Sequence, residues 1–121
     1  MDLIIGGAYQ GKLTYAVEKY GLAPEDCFDL EKGVPDRKYR CYYHLEALSL
    51  RALLSWDEVN GFIASLPEDA VMISREIGSG VVPLDPNERY HREAHGALLR
   101  KLAARSNSVT RLFCGIPEAL K

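Results

Sequence analysis

Residues 3–14 read LIIGGAYQGKLT, a short apolar segment followed at once by a glycine-rich loop. Gly6, Gly11 and Lys12 match the phosphate-binding pattern G-x-x-x-x-G-K-[ST], whereas Leu13 stands where the pattern has a hydroxyl residue that ligates magnesium. Beyond the loop, apolar residues recur at helical spacing up to a glycine that ends the helix. The stretch therefore predicts a strand, a glycine loop and a helix whose N-terminal dipole faces a bound phosphate.

The loop residues have separate expected parts in such a site. Lys12 carries a point charge on a flexible stem, which suits the outer phosphates of a nucleotide. Leu13 has no atom that ligates magnesium, and Thr14 lies one helical step of ~100° further on, so its hydroxyl points away from the motif position. The alternative is a glycine turn that only joins a strand to a helix. The predicted nucleotide-binding residues are Gly6, Gly7, Ala8, Tyr9, Gln10, Gly11, Lys12, Leu13 and Thr14.

The bulk composition is that of an ordinary globular protein. A chain of 121 residues suits one core, so residues 1–121 are predicted to form a single nucleotide-binding domain. A net charge of −2 gives no long-range attraction for nucleic acid or an anionic membrane. The apolar runs are far shorter than the ~20 residues that span a bilayer, and Asp2 replaces the basic start of a secretory signal. We therefore expect a cytoplasmic protein with no membrane span and no nucleic-acid partner.

The cysteines and histidines lack a metal-binding pattern. Three cysteines without a C-x-x-C pair predict buried free thiols rather than a disulfide framework or a zinc site, at Cys27, Cys41 and Cys114. His91 and His95 are four residues apart, which puts both on one face of a helix. We expect that face, beside Arg92 and Glu93, to be solvated rather than to bind a metal.

Strands and helices are predicted to alternate along the chain. Short apolar or alternating runs predict strands at 3–5, 27–30, 39–45, 70–74 and 109–114, with an irregular tail at 115–117. Helical spacing predicts helices at 13–20, 46–54, 56–65 and 86–104. Ser55 is a predicted N-cap whose capping-box partner is Glu58. This order predicts an α/β fold in which a mainly parallel sheet is covered by helices on both faces.

Four further segments, together with the loop, resemble one family. They are HLEALS at 44–49, SREIGSGVVP at 74–83, RYHREAHG at 89–96 and GIPEALK at 115–121. In this order the chain resembles a shortened and divergent member of the cobalamin-biosynthesis family of adenosylcobinamide kinase / adenosylcobinamide-phosphate guanylyltransferase. The most specific match is the C-terminal half, in which the segment at 74–83 is similar to the family pattern T-N-E-V-G-x-G-I-V-P.

The resemblance implies a P-loop NTPase-like three-layer sandwich that phosphorylates adenosylcobinamide with ATP or GTP and then transfers GMP to the product. It also implies Mg²⁺ bound with ATP or GTP, a cobinamide-type small molecule as substrate, and a homo-oligomer. Lys12 and Glu46 are the implied catalytic residues, and Glu46 is also the implied metal ligand. Glu76 and Gly78 are the implied substrate-binding residues.

The departures from the family bear on function. Members are longer, and the length missing here falls mainly between residues 20 and 45, where the family has H-H-x-x-R-P-x-x-W with its guanylylated histidine. Arg75 and Leu99 also stand where the family has asparagine. We therefore expect a nucleotide-binding protein with kinase activity but no guanylyl transfer. The alternatives are a non-catalytic regulatory or partner protein that keeps the fold, and a small phosphotransferase acting on another alcohol.

Several of these side chains also have simpler interpretations. Glu46 would equally be a solvated residue in the first turn of a helix, and Glu76 a solvated loop residue. We expect the arginines to form surface ion pairs with Glu88 and Glu93 rather than an anion-binding patch; they are Arg75, Arg89 and Arg92. An aromatic cluster favours sheet core and oligomer surface over a ligand platform, at Tyr39, Tyr42 and Tyr43.

Overall fold

Strands and helices alternate in the computed structural model, which describes residues 1–7, 11–33, 35, 37–52, 55–76 and 85–121. The strands are β1 Asp2–Gly6, β2 Cys27–Asp29, β3 Cys41–Tyr43, β4 Val71–Arg75, β5 Ser108–Phe113 and β6 Ile116–Ala119. The helices are α1 Lys12–Tyr20, α2 Glu46–Ala52, α3 Trp56–Ala64 and α4 Pro86–Arg105. The predicted elements are confirmed over the described residues, although β3 is shorter than the run at 39–45 suggests, and residues 53 and 54 of the predicted helix 46–54 lie outside the described part of the chain. Among the residues described, no helix has both the length and the apolar character needed to cross a membrane.

The described strands form one six-stranded sheet in the order β2-β3-β4-β1-β5-β6. β1 lies inside the sheet, where Ile4 is paired in parallel with Ile73 of β4 and with Thr110 of β5. β2, β3 and β4 continue the parallel pairing on one side. Successive parallel strands require crossover connections: α1 lies between β1 and β2, α2 and α3 lie between β3 and β4, and α4 lies between β4 and β5. The predicted mainly parallel α/β sheet is confirmed.

Helices cover both faces of the sheet because successive residues of β1 point in opposite directions. Leu3 and Ile5 pack in one cluster with residues of α2, α3 and α4, such as Val59 and Leu98. Ile4 packs on the other face, in a cluster that includes residues of α1. Each buried Leu or Ile side chain contributes ~1.5–3 kcal/mol to stability. The result is the expected three-layer arrangement, consistent with a P-loop NTPase-like fold.

Two glycines shape the connection from β1 to α1. Gly11 precedes α1 with a φ of 75°, the left-handed conformation that residues with a side chain rarely adopt. Gly6 ends β1, and a Cβ added there would lie 2.7 Å from the carbonyl oxygen of Leu112 in β5. The turn into the helix thus requires the second glycine of the motif, and the packing of two adjacent strands requires the first.

The helices on the second half of the chain begin at side-chain caps. Ser55 Oγ accepts a hydrogen bond from the backbone N–H of Glu58 at 3.3 Å, which confirms the predicted N-cap of α3. At the start of α4, Asp85 accepts from the N–H of Asn87 at 2.9 Å, and Pro86 occupies the first helical position. These caps fix the residues at which both helices begin.

The chain after β5 differs from the prediction of an irregular tail. Phe113 of β5 is paired with Ile116 of β6 in an antiparallel hairpin. Cys114 and Gly115 have φ values of 51° and 75°, so a tight left-handed turn joins the two strands. This turn leaves Cys114 exposed, so the prediction of a buried thiol is wrong there, whereas it is confirmed for Cys41.

Candidate functional site

The parallel strands end along one edge of the sheet, and a cavity of about 450 Å³ opens there. Its lining comes from the start of α1 at 11–14, from Tyr43, His44 and Glu46, and from the end of β4 at 73–75. Ligands of parallel α/β sheets bind outside the carboxyl ends of the strands, which is where this cavity lies. The structure therefore brings the end of the glycine loop, Lys12 and Glu46 together around one cavity.

A second cavity of about 340 Å³ lies elsewhere, between β3 and the α2 and α3 helices. Its floor includes the buried Tyr42 and Val59, and its rim includes Arg37 and Arg51. Arg51 is paired with Glu58 at 3.0 Å. None of the described residues that line it belongs to the glycine loop, so we regard the cavity at the carboxyl edge as the candidate site.

Lys12 lies at the first position of α1, inside the candidate site. Its ammonium group donates a hydrogen bond to the carbonyl oxygen of Gly7 at 2.7 Å. Burial is the largest influence on the pKa of Lys12 and lowers it, and the positive charge of Arg75 lowers it further. The negative charges of Glu46 and Glu76 raise this pKa, but the net shift is downward. The ammonium group is therefore partly desolvated, and its electrostatic neighbours are side chains from α2 and the end of β4.

Glu46 bridges α2 to the end of β4. Its Oε1 atom accepts hydrogen bonds from the backbone N–H of Arg75 at 2.7 Å and from Ser74 Oγ at 3.4 Å. The interpretation of Glu46 as a freely solvated glutamate is therefore wrong, because the carboxylate is held at the end of β4. Both hydrogen bonds are to the Oε1 atom of Glu46. Glu46 also lines the same cavity as Lys12.

Arg75 and Glu76 follow one another but make different contacts. The Arg75 side chain is exposed and lines the cavity. Within the described part of the chain its guanidinium group has no hydrogen-bond or ion-pair partner, so it adds positive charge to the site. Glu76 is paired with Arg111 of β5 at 3.2 Å, and its backbone N–H donates to Gly6 O at 2.9 Å. Glu76 is therefore engaged in an ion pair rather than solvated.

His95 on α4 is buried at 0% exposure, so the prediction of a solvated histidine face is wrong. Its Nε2 atom lies 2.8 Å from the carbonyl oxygen of Arg75, which can only accept a hydrogen bond. Its Nδ1 atom lies 3.1 Å from Ser49 Oγ, and His91 Nε2 lies 2.9 Å from the same oxygen. Burial is the main cause that lowers the pKa of His95. His91 and His95 do lie on one face of α4, as their spacing predicts, but this face packs against α2 and the end of β4 instead of facing solvent.

His44 and Asp29 form a contact that sequence reasoning missed. His44 Nδ1 lies 2.7 Å from Asp29 Oδ1, and Glu31 Oε1 lies 3.8 Å from the same nitrogen. Burial pushes the pKa of Asp29 up, but hydrogen bonds from His44 and from the Glu31 N–H hold it below its usual value. The carboxylate and imidazole atoms lie within 4.8 Å of one another, close enough to hold a metal ion. The available signal was that both residues lie at the ends of predicted strands.

The donor set for magnesium beside the loop is small. Leu13 lines the cavity and carries no ligand atom. Thr14 is exposed and also lines the cavity, one residue beyond the motif position. Glu76 is paired with Arg111, so Glu46 is the carboxylate that the described residues offer at this position. A single carboxylate suits Mg²⁺, which keeps several waters and takes further oxygens from nucleotide phosphates.

Four of the predicted site residues lie outside the residues that the structure describes. They are Ala8, Tyr9 and Gln10 of the glycine loop and Gly78 of the predicted substrate-binding segment. The candidate site rests on the remaining residues, chiefly Gly11, Lys12 and Glu46.

Comparison with known proteins gives one family match. A family model described as cobinamide kinase / cobinamide phosphate guanyltransferase matches residues 41–120, about two thirds of the chain. The matched range begins at β3 and includes Glu46, Arg75 and His95, whereas Lys12 and the glycine loop precede it. A search among curated proteins found no match.

Proposed function

The chain belongs to the cobinamide kinase / cobinamide phosphate guanyltransferase family, and on that premise we propose that it binds ATP or GTP and phosphorylates a cobinamide-type alcohol. The observation that carries the proposal is the clustering of Lys12, Glu46 and Arg75 around one cavity at the carboxyl edge of the sheet. The family match does not include the glycine loop, so the motif and the geometry of α1 support nucleotide binding independently.

The start of α1 has the features that favour a bound phosphate. Gly11 turns the chain into the helix, and residues 11–14 at its N-terminus line the cavity, so the positive end of the helix dipole lies there. Lys12 would exchange its hydrogen bond to the Gly7 carbonyl for a phosphate oxygen. Arg75 would add a second cation at the other wall of the cavity. Both cations act on the negative charge that spreads over the phosphoryl oxygens during transfer.

Magnesium would be held by Glu46 together with phosphate oxygens and water, and when bound it neutralises charge on the transferred phosphoryl group. Leu13 leaves the metal without the hydroxyl ligand of the motif. We therefore expect weaker metal dependence than in a chain with serine or threonine at this position.

The proposal excludes the second reaction of the family name. Guanylyl transfer through a histidine requires a nucleophile near the α-phosphate, supplied in the family by a segment that this sequence lacks. We also propose a homo-oligomer, since Phe113 and Ile116 are 65% and 67% exposed on the β5–β6 hairpin and would be covered by a second copy.

Calorimetric titration with GTP and with ATP, with and without magnesium, tests nucleotide binding. Lys12→Ala should weaken binding at least tenfold, about 1.4 kcal/mol, because it removes a charge-assisted contact. Lys19→Ala is the matched control, because Lys19 lies in the last turn of the same helix and packs over tyrosine rings. Absence of heat at millimolar nucleotide would contradict the proposal.

A second candidate function is a regulatory or partner protein that binds nucleotide without turnover. Leu13 favours it, because an aliphatic side chain lines the cavity where the motif has a metal ligand. Phosphorylation of cobinamide by the purified protein, followed by ³¹P NMR, would argue against this candidate. A screen of other alcohols under the same conditions separates both candidates from a phosphotransferase of different specificity.

A further inference from the structure

We propose that His95 is a positioning residue that holds the Glu46 carboxylate in place beside Lys12. The inference rests on the proposed function, in which Glu46 faces the nucleotide phosphates. Sequence comparison assigns no such role to His95, and its side chain does not line the cavity. It acts from behind the site, where its ring lies between α2 and the end of β4.

The two elements that His95 joins are those that fix Glu46. Glu46 begins α2, and its carboxylate reaches across to the Arg75 N–H and Ser74 Oγ at the end of β4. His95 Nε2 contacts the same two residues, at 2.8 Å from Arg75 O and 3.0 Å from Ser74 Oγ. On its other side, Nδ1 lies 3.1 Å from Ser49 Oγ in the first turns of α2. One imidazole ring therefore connects both ends of the Glu46 contact.

Ser49 completes the connection to the backbone of Glu46. Its hydroxyl lies 2.7 Å from Glu46 O and 3.1 Å from His95 Nδ1, so its one hydrogen is shared between these acceptors. His91 Nε2 reinforces the same point, at 2.9 Å from Ser49 Oγ and 3.3 Å from Glu46 O. Both the carbonyl and the carboxylate of Glu46 are thus tied into the network that contains His95.

Burial makes this network specific. His95, Ser49 and Ser74 are 0%, 0% and 1% exposed, so water does not readily replace a lost partner. The Arg75 carbonyl fixes the hydrogen on Nε2, which leaves Nδ1 of the neutral ring as an acceptor. An apolar side chain of similar size would fill the space, but without these hydrogen bonds the start of α2 could shift relative to the end of β4.

The structural readout is the Arg75 amide, whose N–H donates to Glu46 Oε1. Hydrogen exchange of this amide is measured by NMR in wild type, His95→Leu, His95→Gln and Leu98→Ala. His95→Gln places an amide N–H near the position of Nε2 and should keep the wild-type exchange rate. His95→Leu should raise exchange at Arg75 roughly tenfold beyond the change at core amides of β1. Leu98→Ala is the control, because Leu98 is buried on the same helix and contacts the apolar core.

Steady-state phosphorylation of cobinamide supplies the functional readout. We expect His95→Leu to lower kcat roughly 10–100-fold with the nucleotide Kd unchanged, because a small misplacement of a catalytic group acts on the transition state. His95→Gln should restore most of kcat, and Leu98→Ala should leave it unchanged at a temperature where the variant is folded. If His95 had only a structural role, His95→Leu and Leu98→Ala would both lower stability, and the two variants would have similar kcat values.

The outcomes distinguish this inference from the proposed function. If His95→Leu raises hydrogen exchange at the Arg75 amide no more than at the core amides of β1, the positioning role is overturned, whatever the activity of the variant. Equal kcat values for wild type and His95→Leu overturn it as well. A wild-type protein without turnover refutes the proposed kinase function, and in that case the Arg75 amide still decides whether His95 holds Glu46.

Discussion

Substitution of Gly6 by alanine should destabilise the protein through one contact between adjacent strands. The added Cβ would lie 2.7 Å from the carbonyl oxygen of Leu112, a separation that real Cβ atoms essentially never show. The carbonyl oxygen belongs to the backbone of β5, and the backbone of β1 fixes the position of the Cβ, so neither atom moves without disturbing the sheet. Overpacking of this kind costs ~1–3 kcal/mol. Alanine also lowers the conformational entropy of the unfolded chain, which stabilises the folded protein by about 0.4–1 kcal/mol. The difference between the midpoints of these two ranges is a net loss of about 1.3 kcal/mol, with an upper limit of about 2.6 kcal/mol.

Urea unfolding monitored by circular dichroism measures this change, with the m-value as a check that the transition stays comparable. Gly61→Ala is the matched control: Gly61 lies within α3, and a Cβ added there meets nothing within 4 Å. It should stabilise the protein by about 0.5–1 kcal/mol through helix propensity. Wild-type stability of Gly6→Ala would refute the argument that the first glycine of the motif is required by strand packing.

The remaining predictions concern the loop and the buried histidine. Leu13→Thr should restore a hydroxyl at the motif position and tighten nucleotide binding roughly tenfold in magnesium, with little change in EDTA; calorimetry in the two buffers measures this. An equal gain in EDTA would contradict a metal-ligand role. Because burial lowers the pKa of His95 below its unfolded value of about 6.5, the unfolded state binds the proton more readily. Stability should therefore be fully present above this pH and fall as the pH is lowered toward the folded pKa. Urea unfolding of wild type and His95→Gln between about pH 7.5 and 5 measures how stability depends on pH. The variant should lose less stability than wild type as the pH falls.

Local sequence patterns were sufficient for β1 to β5 and for the four helices. Apolar spacing and the glycines around α1 are local signals, and so is the capping pair Ser55 and Glu58. The β5–β6 hairpin was missed because Cys-Gly is a weak turn signal and Pro117 is unusual in a strand. The turn depends on the left-handed backbone conformation of Cys114 and Gly115, which only the structure shows.

The partners of the site residues depended on tertiary structure. His95 lies beside the apolar stripe of α4, and its burial follows from the positions of Ser49 and Arg75, which are distant in sequence. The contact of Asp29 with His44 depends on β2 and β3 being neighbours in the sheet. Sequence patterns place Asp29 and His44 near the ends of strands but do not give the order of the strands, so neither contact followed from the sequence alone. Glu46 was predicted as a site residue, whereas its bond to the Arg75 N–H was not.

The most direct test of nucleotide binding in this cleft is a crystal structure of the protein with GTP and Mg²⁺. We expect the β- and γ-phosphates at the N-terminus of α1, with Lys12 Nζ moved from the Gly7 carbonyl to a phosphate oxygen. Arg75 should approach the same phosphates, and the metal should lie between them and Glu46. A nucleotide bound in the cavity between β3 and α3, or no nucleotide bound at saturating concentration, would contradict the account.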